Sequence, residues 1–240
     1  VVLQERLGTR RLGGELPDLL LLLEHPPTYT LGRRSEPSDL LHNGDWYRQR
    51  GIAINETPRG GKVTYHAPGQ LILYPIVDLR GVGQQPAGAD RVDVAGFVAT
   101  LEESMAAALA EWGLACGRIE GLTGLWIDDA RSDRTDFEGA DAASAAPGLA
   151  RGSIRKIGSI GLKIHRGGTS HGLSINVSCD LEPFEWINSC GIEACRATSI
   201  AAELGGSGPA AVEVGAAVAG RIAEGLGRGI RAESPDLIGL

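Results

Sequence analysis

Four cysteines in 240 residues, Cys116, Cys179, Cys190 and Cys195, are too few for a disulfide framework. A chain of this length buries a core that needs no covalent staples, so a reducing, cytoplasmic compartment is expected. Long apolar runs are missing too. The longest, Leu19 to Leu23, is five leucines where a membrane helix needs roughly 20 residues, and it reads as a buried strand. Positive charge is scarce: the net charge of −7 argues against general nucleic-acid binding, which needs Lys and Arg facing phosphate. No internal repeat is visible. The chain also lacks an initial Met and begins inside a helical stretch, which implies residues upstream and keeps any targeting segment out of view.

What is present is a hydrophobic fraction of 42% and 35 glycines, several at turns where backbone must approach something closely. Leu19 to Glu24 reads as a strand stopped by Pro26-Pro27, with Thr28 to Leu31 continuing it briefly. Residues 35 to 50 read as polar loop. Ile52 to Asn55 and Val63 to Tyr65 are short strands around the turn Arg59-Gly60-Gly61-Lys62, and Gln70 to Val77 is a central strand. Asp93 caps a helix running to about Trp112 and stopped by Gly113; Phe97, Leu101, Met105, Ala108, Leu109 and Trp112 share its core face. Gly124 to Ile127 is a strand. Residues 128 to 153 are small and polar and read as a flexible surface insertion within one domain spanning 1 to 240. Regular structure resumes at Ile154 to His165, and Gly172 to Cys179 alternates as a paired strand. A short helix from Ser199 and a last one over about Ala210 to Leu226 complete an α/β (α+β) chain of mixed sheets with flanking helices.

Candidate chemistry is sparse and each piece has two readings. Cys190, between Ser189 and Gly191, is either a small buried hydrophobe or a nucleophile, and the second requires something that lowers its pKa. Lys156, between Arg155 and Ile157 on a strand, either snorkels to solvent or points into a site beside a thiol. A zinc site from Cys179, Cys190, Cys195 and His171 would need two compact ligand pairs, and the spacing supplies one poor pair, so no metal and no cofactor are expected. The Arg59 to Lys62 turn matches neither phosphate-loop pattern. His66 and His171 stand beside glycine-rich backbone and individually say little.

In order along the chain, LLLLEHPPTYTLGRR (20 to 34), RGGKVTYHAPGQLILYPI (59 to 76), GLW (124 to 126), RKIGSIGLKI (155 to 164), HGLSINVSCDL (171 to 181), INSCGI (187 to 192) and TSIAAELG (198 to 205) resemble the octanoyltransferases of lipoate biosynthesis. The resemblance implies the fold shared with biotin and lipoate protein ligases. It implies transfer of octanoyl from octanoyl-acyl carrier protein to a lysine of lipoyl domains of 2-oxoacid dehydrogenase complexes and of glycine cleavage H protein. By position, Cys190 is the implied acyl-thioester nucleophile and Lys156 the residue that lowers its pKa. The implied substrate-lining residues are Arg59, Gly60, Gly61, Lys62, Val63, Thr64, Tyr65, His66, Ser159, Ile160, Gly161, Gly172, Leu173 and Ser174.

Two departures stand out. Ser189 replaces the proline usual in the family, and the 128 to 153 stretch lengthens a connection that is normally short. A monomer with no nucleic-acid or membrane partner is expected, docking its acidic donor through Arg33, Arg34, Arg59, Lys62, Arg151, Arg155, Lys163 and Arg166. The competing readings are an ATP-dependent lipoate or biotin ligase on the same fold, and a non-catalytic binding homologue.

Overall fold

The computed structural model describes residues 1–80, 82, 92–119, 121–128, 154–188 and 196–238. Ser189, Cys190, Cys195, Arg151 and all of the 128–153 insertion except Asp128, of which the sequence raised expectations, lie outside these residues.

Two sheets carry the architecture. The larger contains β1 (Leu19–Leu23), β5 (Gln70–Ile76), β6 (Gly117–Ile119), β7 (Leu122–Asp128), β8 (Ile154–His165) and β9 (Gly168–Asn176), in the order β1-β5-β9-β8-β7-β6. A short strand β10 (Arg196–Ala197) adds to it, pairing in parallel with Arg155 and Lys156 of β8. The smaller sheet joins β3 (Ala53–Glu56), β2 (Thr28–Leu31) and β4 (Thr64–His66). Thr28–Leu31 therefore does not prolong β1: the chain changes sheets at Pro26-Pro27, where two missing N–H donors end the ladder.

Alternation decides which face of the large sheet is dry. Leu71 and Leu73 of β5, Leu173 and Ile175 of β9 and Ile157 of β8 point to one side, with Leu125 and Ile127 of β7. Helices α3 (Val94–Ala110) and α5 (Ala211–Gly225) cover that side through Phe97, Leu101, Met105, Leu109, Val214, Val218 and Ile222, in one core cluster. Asp93 caps α3 by accepting the Gly96 N–H at 2.8 Å, and Gly113 follows the helix at φ +78°. The opposite face is left to α1 (Val2–Leu12), the small sheet and open space.

Three local expectations are revised. β1 lies at the sheet edge and is half-buried, with Leu22 at 40% exposure, because a run of leucines has no alternation to reveal its wet side. Residues 35 to 50 hold a helix, α2 (Gly44–Gln49), whose Trp46 N–H is accepted by the Asn43 side chain. β9 begins at Gly168 and ends at Asn176. It begins early because Arg166 and Gly167, at φ +50° and +86°, form a two-residue hairpin turn from β8. Ile200–Glu203, α4, is a single turn capped by Ser199.

Candidate active site

The uncovered face of the large sheet floors a cleft of about 800 Å³. Its floor is low in the middle. Ser159 pairs with Ser174 and Gly161 with Gly172 across β8 and β9, so two rungs carry only small side chains. Bulkier groups rise on both flanks: Ile72, Tyr74, Leu21 and Leu23 on the β5–β1 side, and Leu122, Trp126 and Lys156 on the β7 side. The result is a slot with apolar walls, the shape that suits an aliphatic chain.

Lys156 reaches this slot because β8 is bulged. Lys156 pairs with Trp126 and Gly158 with the adjacent Leu125, leaving Ile157 as an extra residue. Strict alternation would set Lys156 and Ser159 on opposite faces. The bulge shifts the phase, so Ile157 enters the core while Lys156, Ser159 and Gly161 all face the cleft. The Lys156 ammonium donates to the Thr123 carbonyl at 3.1 Å and sits 4.7 Å from the centre of the Trp126 ring. Gly124 makes room for it. At φ +126°, a Cβ there would stand 2.7 Å from Lys156 Cε and 2.6 Å from the Gly158 carbonyl oxygen.

The small sheet supplies the roof. Gly60 N–H donates to the Leu162 carbonyl at 2.8 Å, which lays the Arg59 to Lys62 turn across β8. A Cβ on Gly161 would come within 2.9 Å of Arg59 Cδ. Arg59 itself is 8% exposed, so it belongs to the cleft wall and is withdrawn from the cationic docking surface expected of it. Its guanidinium donates to the Thr30 hydroxyl and carbonyl and to the Gly60 carbonyl. With neutral partners only among these bonds, burial pulls its pKa down to about 10.

Along β4, Thr64 and His66 face the cleft and Tyr65 turns away into a second core with Tyr29 and Phe184. Val63 and Lys62 also line the cleft, Lys62 paired with buried Asp39 at 3.0 Å. Leu173 and Ile160 border it but pack their side chains with the main core.

A continuous hydrogen-bond chain ties roof to floor, and it fixes the state of His66. Gln70 Nε2 donates to the Tyr65 carbonyl and to Asn176 Oδ1, while Asn176 Nδ2 donates to the Thr198 carbonyl. Gln70 Oε1 is therefore the acceptor facing His66 Nδ1 at 2.7 Å, which puts the proton on Nδ1. Nε2 is left to accept from the Thr30 hydroxyl at 3.2 Å. With both ring nitrogens engaged, His66 ties β4 to Thr30 of β2 and Gln70 of β5 and holds the roof in place. At the far end of the chain, Thr198 N–H donates to the Lys156 carbonyl, so β10 lies against the strand segment that carries Lys156.

Burial pushes the imidazoles of His66 and His171 down to about 4. In the unfolded chain they titrate near 6.5, so below that pH the unfolded state binds protons that the folded state refuses. Their contribution is present above pH 6.5 and is lost as pH falls toward 4, by at most about 1.4 kcal/mol per pH unit for each histidine. Urea unfolding between pH 7 and 5 is expected to show this slope. His171→Asn, which tolerates the φ of +58° found there, should remove part of it.

Sequence reasoning missed one group. Glu102 on α3 is buried behind Lys156, accepting the Gly124 N–H at 2.8 Å and the Arg118 guanidinium at 2.9 Å. Its spacing of three and seven from Met105 and Leu109 put it beside the core face, which was the available signal. Among the described residues no group of three or more His, Cys, Asp or Glu could hold a metal ion, and no helix is long and apolar enough to cross a membrane. Cys179 is buried in the second core.

The profile of the lipoyl protein ligase A/B catalytic domain matches residues 1–222. An octanoyltransferase of Chloroflexus aggregans is 40% identical over 210 residues, covering 87% of this chain and 81% of that one. An octanoyltransferase of Mycobacterium leprae is 39% identical over 203 residues, covering 85% and 72%. Among solved structures, a bipartite lipoate protein ligase of Thermoplasma acidophilum superposes with a TM-score of 0.67 at 14% identity, over 99% of this chain and 86% of that one. A lipoate-protein ligase A bound with ATP gives 0.63 at 14%, over 99% and 88%. At that identity these two structures speak for the fold, while the curated relatives speak for the family. The chain belongs to the octanoyltransferases, within the lipoyl protein ligase A/B catalytic domain family.

Proposed function

We propose that this octanoyltransferase takes its acyl group from octanoyl-acyl carrier protein, holds it as a thioester on Cys190, and passes it to a lysine of lipoyl domains, those of 2-oxoacid dehydrogenase complexes and glycine cleavage H protein. The observation that carries the reading is Lys156, turned by the β8 bulge onto a slot floored by Ser159, Gly161, Gly172 and Ser174. Cys190 lies six residues ahead of Arg196, where β10 joins β8 beside Lys156.

The chemistry balances without a cofactor. The Cys190 thiol gives up its proton and the resulting thiolate attacks the donor's carbonyl carbon; the carbon–sulfur bond to the carrier breaks, and the carrier's thiolate takes up that proton and leaves as thiol. The acceptor amine then attacks the same carbon and forms an amide. Cys190 leaves as thiolate and takes up the proton the amine sheds. Exchanging a thioester for an amide is downhill, so no ATP is consumed. The Lys156 ammonium favours the thiolate in the first half by charge pairing.

The donor docks at the rim. Of the cations expected to meet it, Lys62, Arg155 and Lys163 pair with Asp39, Glu203 and Glu5, and Arg33, Arg34 and Arg166 are exposed. This reading makes Arg33 and Arg34, next to the Arg59 turn, the principal contacts, and it takes the enzyme to be a cytoplasmic monomer.

Purified chain mixed with octanoyl-acyl carrier protein and a lipoyl domain, without ATP, is expected to yield octanoylated domain. Initial rates with both substrates varied should give the parallel lines of ping-pong kinetics. Transfer that demands ATP, or none under either condition, contradicts the reading.

A further inference from the structure

One peptide group stands between two opposite charges. The carbonyl of Thr123 accepts from Lys156 Nζ at 3.1 Å, and the N–H of the same peptide unit, on Gly124, donates to Glu102 Oε1 at 2.8 Å. In a trans peptide these two groups point opposite ways, so the carboxylate lies on the core side and the ammonium on the cleft side. Each charge polarises the peptide in the sense that strengthens the bond at its other end. The unit is built into the fold: Glu102 is buried on α3, Gly124 has the φ that only glycine readily adopts, and Lys156 Cε packs against it.

We infer that Glu102 is a positioning residue for acyl transfer, holding the Lys156 ammonium at the cleft through the Thr123–Gly124 peptide. The inference rests on the reading above, in which Lys156 serves Cys190.

The groups facing Glu102 are accounted for from each element packed against it. On β6, Arg118 takes Oε2 at 2.9 Å and also reaches Glu103, the neighbour of Glu102 on α3, at 3.1 Å. On β8, Lys156 is the other cation in its field. Burial pushes the Glu102 carboxyl up, and the Gly124 N–H, Arg118 and Lys156 each pull it back. Arg118 thus occupies one oxygen and leaves the other to the peptide. The same carboxylate serves as a bolt between α3 and strands β6 and β7, so a purely structural role must be separated from a positioning one.

A double-mutant cycle on the full chain separates them. Single-turnover octanoylation is measured for wild type, Glu102→Gln, Lys156→Met and the pair, with the donor's KM measured alongside. Glutamine keeps an acceptor for the Gly124 N–H but no charge. It is expected to slow octanoylation about tenfold with KM unchanged, and to cost nothing further in the Lys156→Met background. Should Glu102→Gln fold poorly, Glu102→Asp supplies the same test, keeping the charge but drawing it back from Gly124, with a smaller loss. If Lys156→Met is slow but Glu102→Gln matches wild type, or if the two losses multiply, the inference is overturned and the reading of the site stands. If Lys156→Met is itself as fast as wild type, both fall.

Discussion

Lys156→Met is expected to lower kcat/KM for octanoyl transfer by about a thousandfold while leaving the fold intact. The size follows from the role. A positioned group that manages a proton or stabilises a nucleophile's charge contributes about 10² to 10⁴ in rate. In the proposed mechanism Lys156 gives that help from the cleft face between Trp126 and β10. Methionine keeps most of the aliphatic stem against Gly124 and the Trp126 ring, so packing changes little. The loss should appear in the acylation step more than in donor binding. A rate within threefold of wild type would remove Lys156 from the chemistry.

Gly124→Ala is the second large effect, and it strikes stability and activity together. A Cβ at φ +126° meets the Gly158 carbonyl oxygen at 2.6 Å and Lys156 Cε at 2.7 Å. The backbone term alone costs about 1 to 3 kcal/mol, since this region is sparsely populated by anything but glycine. The overlap with Lys156 then forces the ammonium off the Thr123 carbonyl, and about a hundredfold of activity should go with it. Gly113→Ala is the matched control: it also has positive φ, +78°, but a Cβ there has nothing within 4 Å. It should cost about 1 kcal/mol or slightly more and leave kcat untouched. Denaturant melts and steady-state rates on the two variants decide the matter. Equal activity in both would mean that the Lys156 position is not set by Gly124.

Much of the frame was legible because local signals agreed. Asp93, a face at three-and-four spacing and Gly113 specify α3 from start to stop, and the apolar run from Gln70 forms β5. The direction of Lys156 was not legible. Alternation assigns a face only while pairing is regular, and the extra residue Ile157 is visible solely in how β7 meets β8. Arg59 lines the cleft as expected, but its burial was not legible for a related reason: a cation in a turn looks exposed until the turn is seen lying across Gly161. Helix α2 was hidden because Asn43-Gly44-Asp45 signals a turn and a helix start equally well. Glu102 sat in plain view on α3, yet its use depends on a peptide group contributed by a distant strand. For Lys156, Arg59 and Glu102 the missing information is a tertiary contact, which no pattern within one segment contains.

The proposed transfer passes through a covalent intermediate, and intact-mass spectrometry reads it directly. Full chain is incubated with octanoyl-acyl carrier protein, quenched in acid and weighed beside Cys190→Ala and Cys195→Ala. One octanoyl group is predicted on wild type and on Cys195→Ala, released on adding a lipoyl domain, and none on Cys190→Ala. An octanoyl adduct of equal yield on Cys190→Ala would contradict the account.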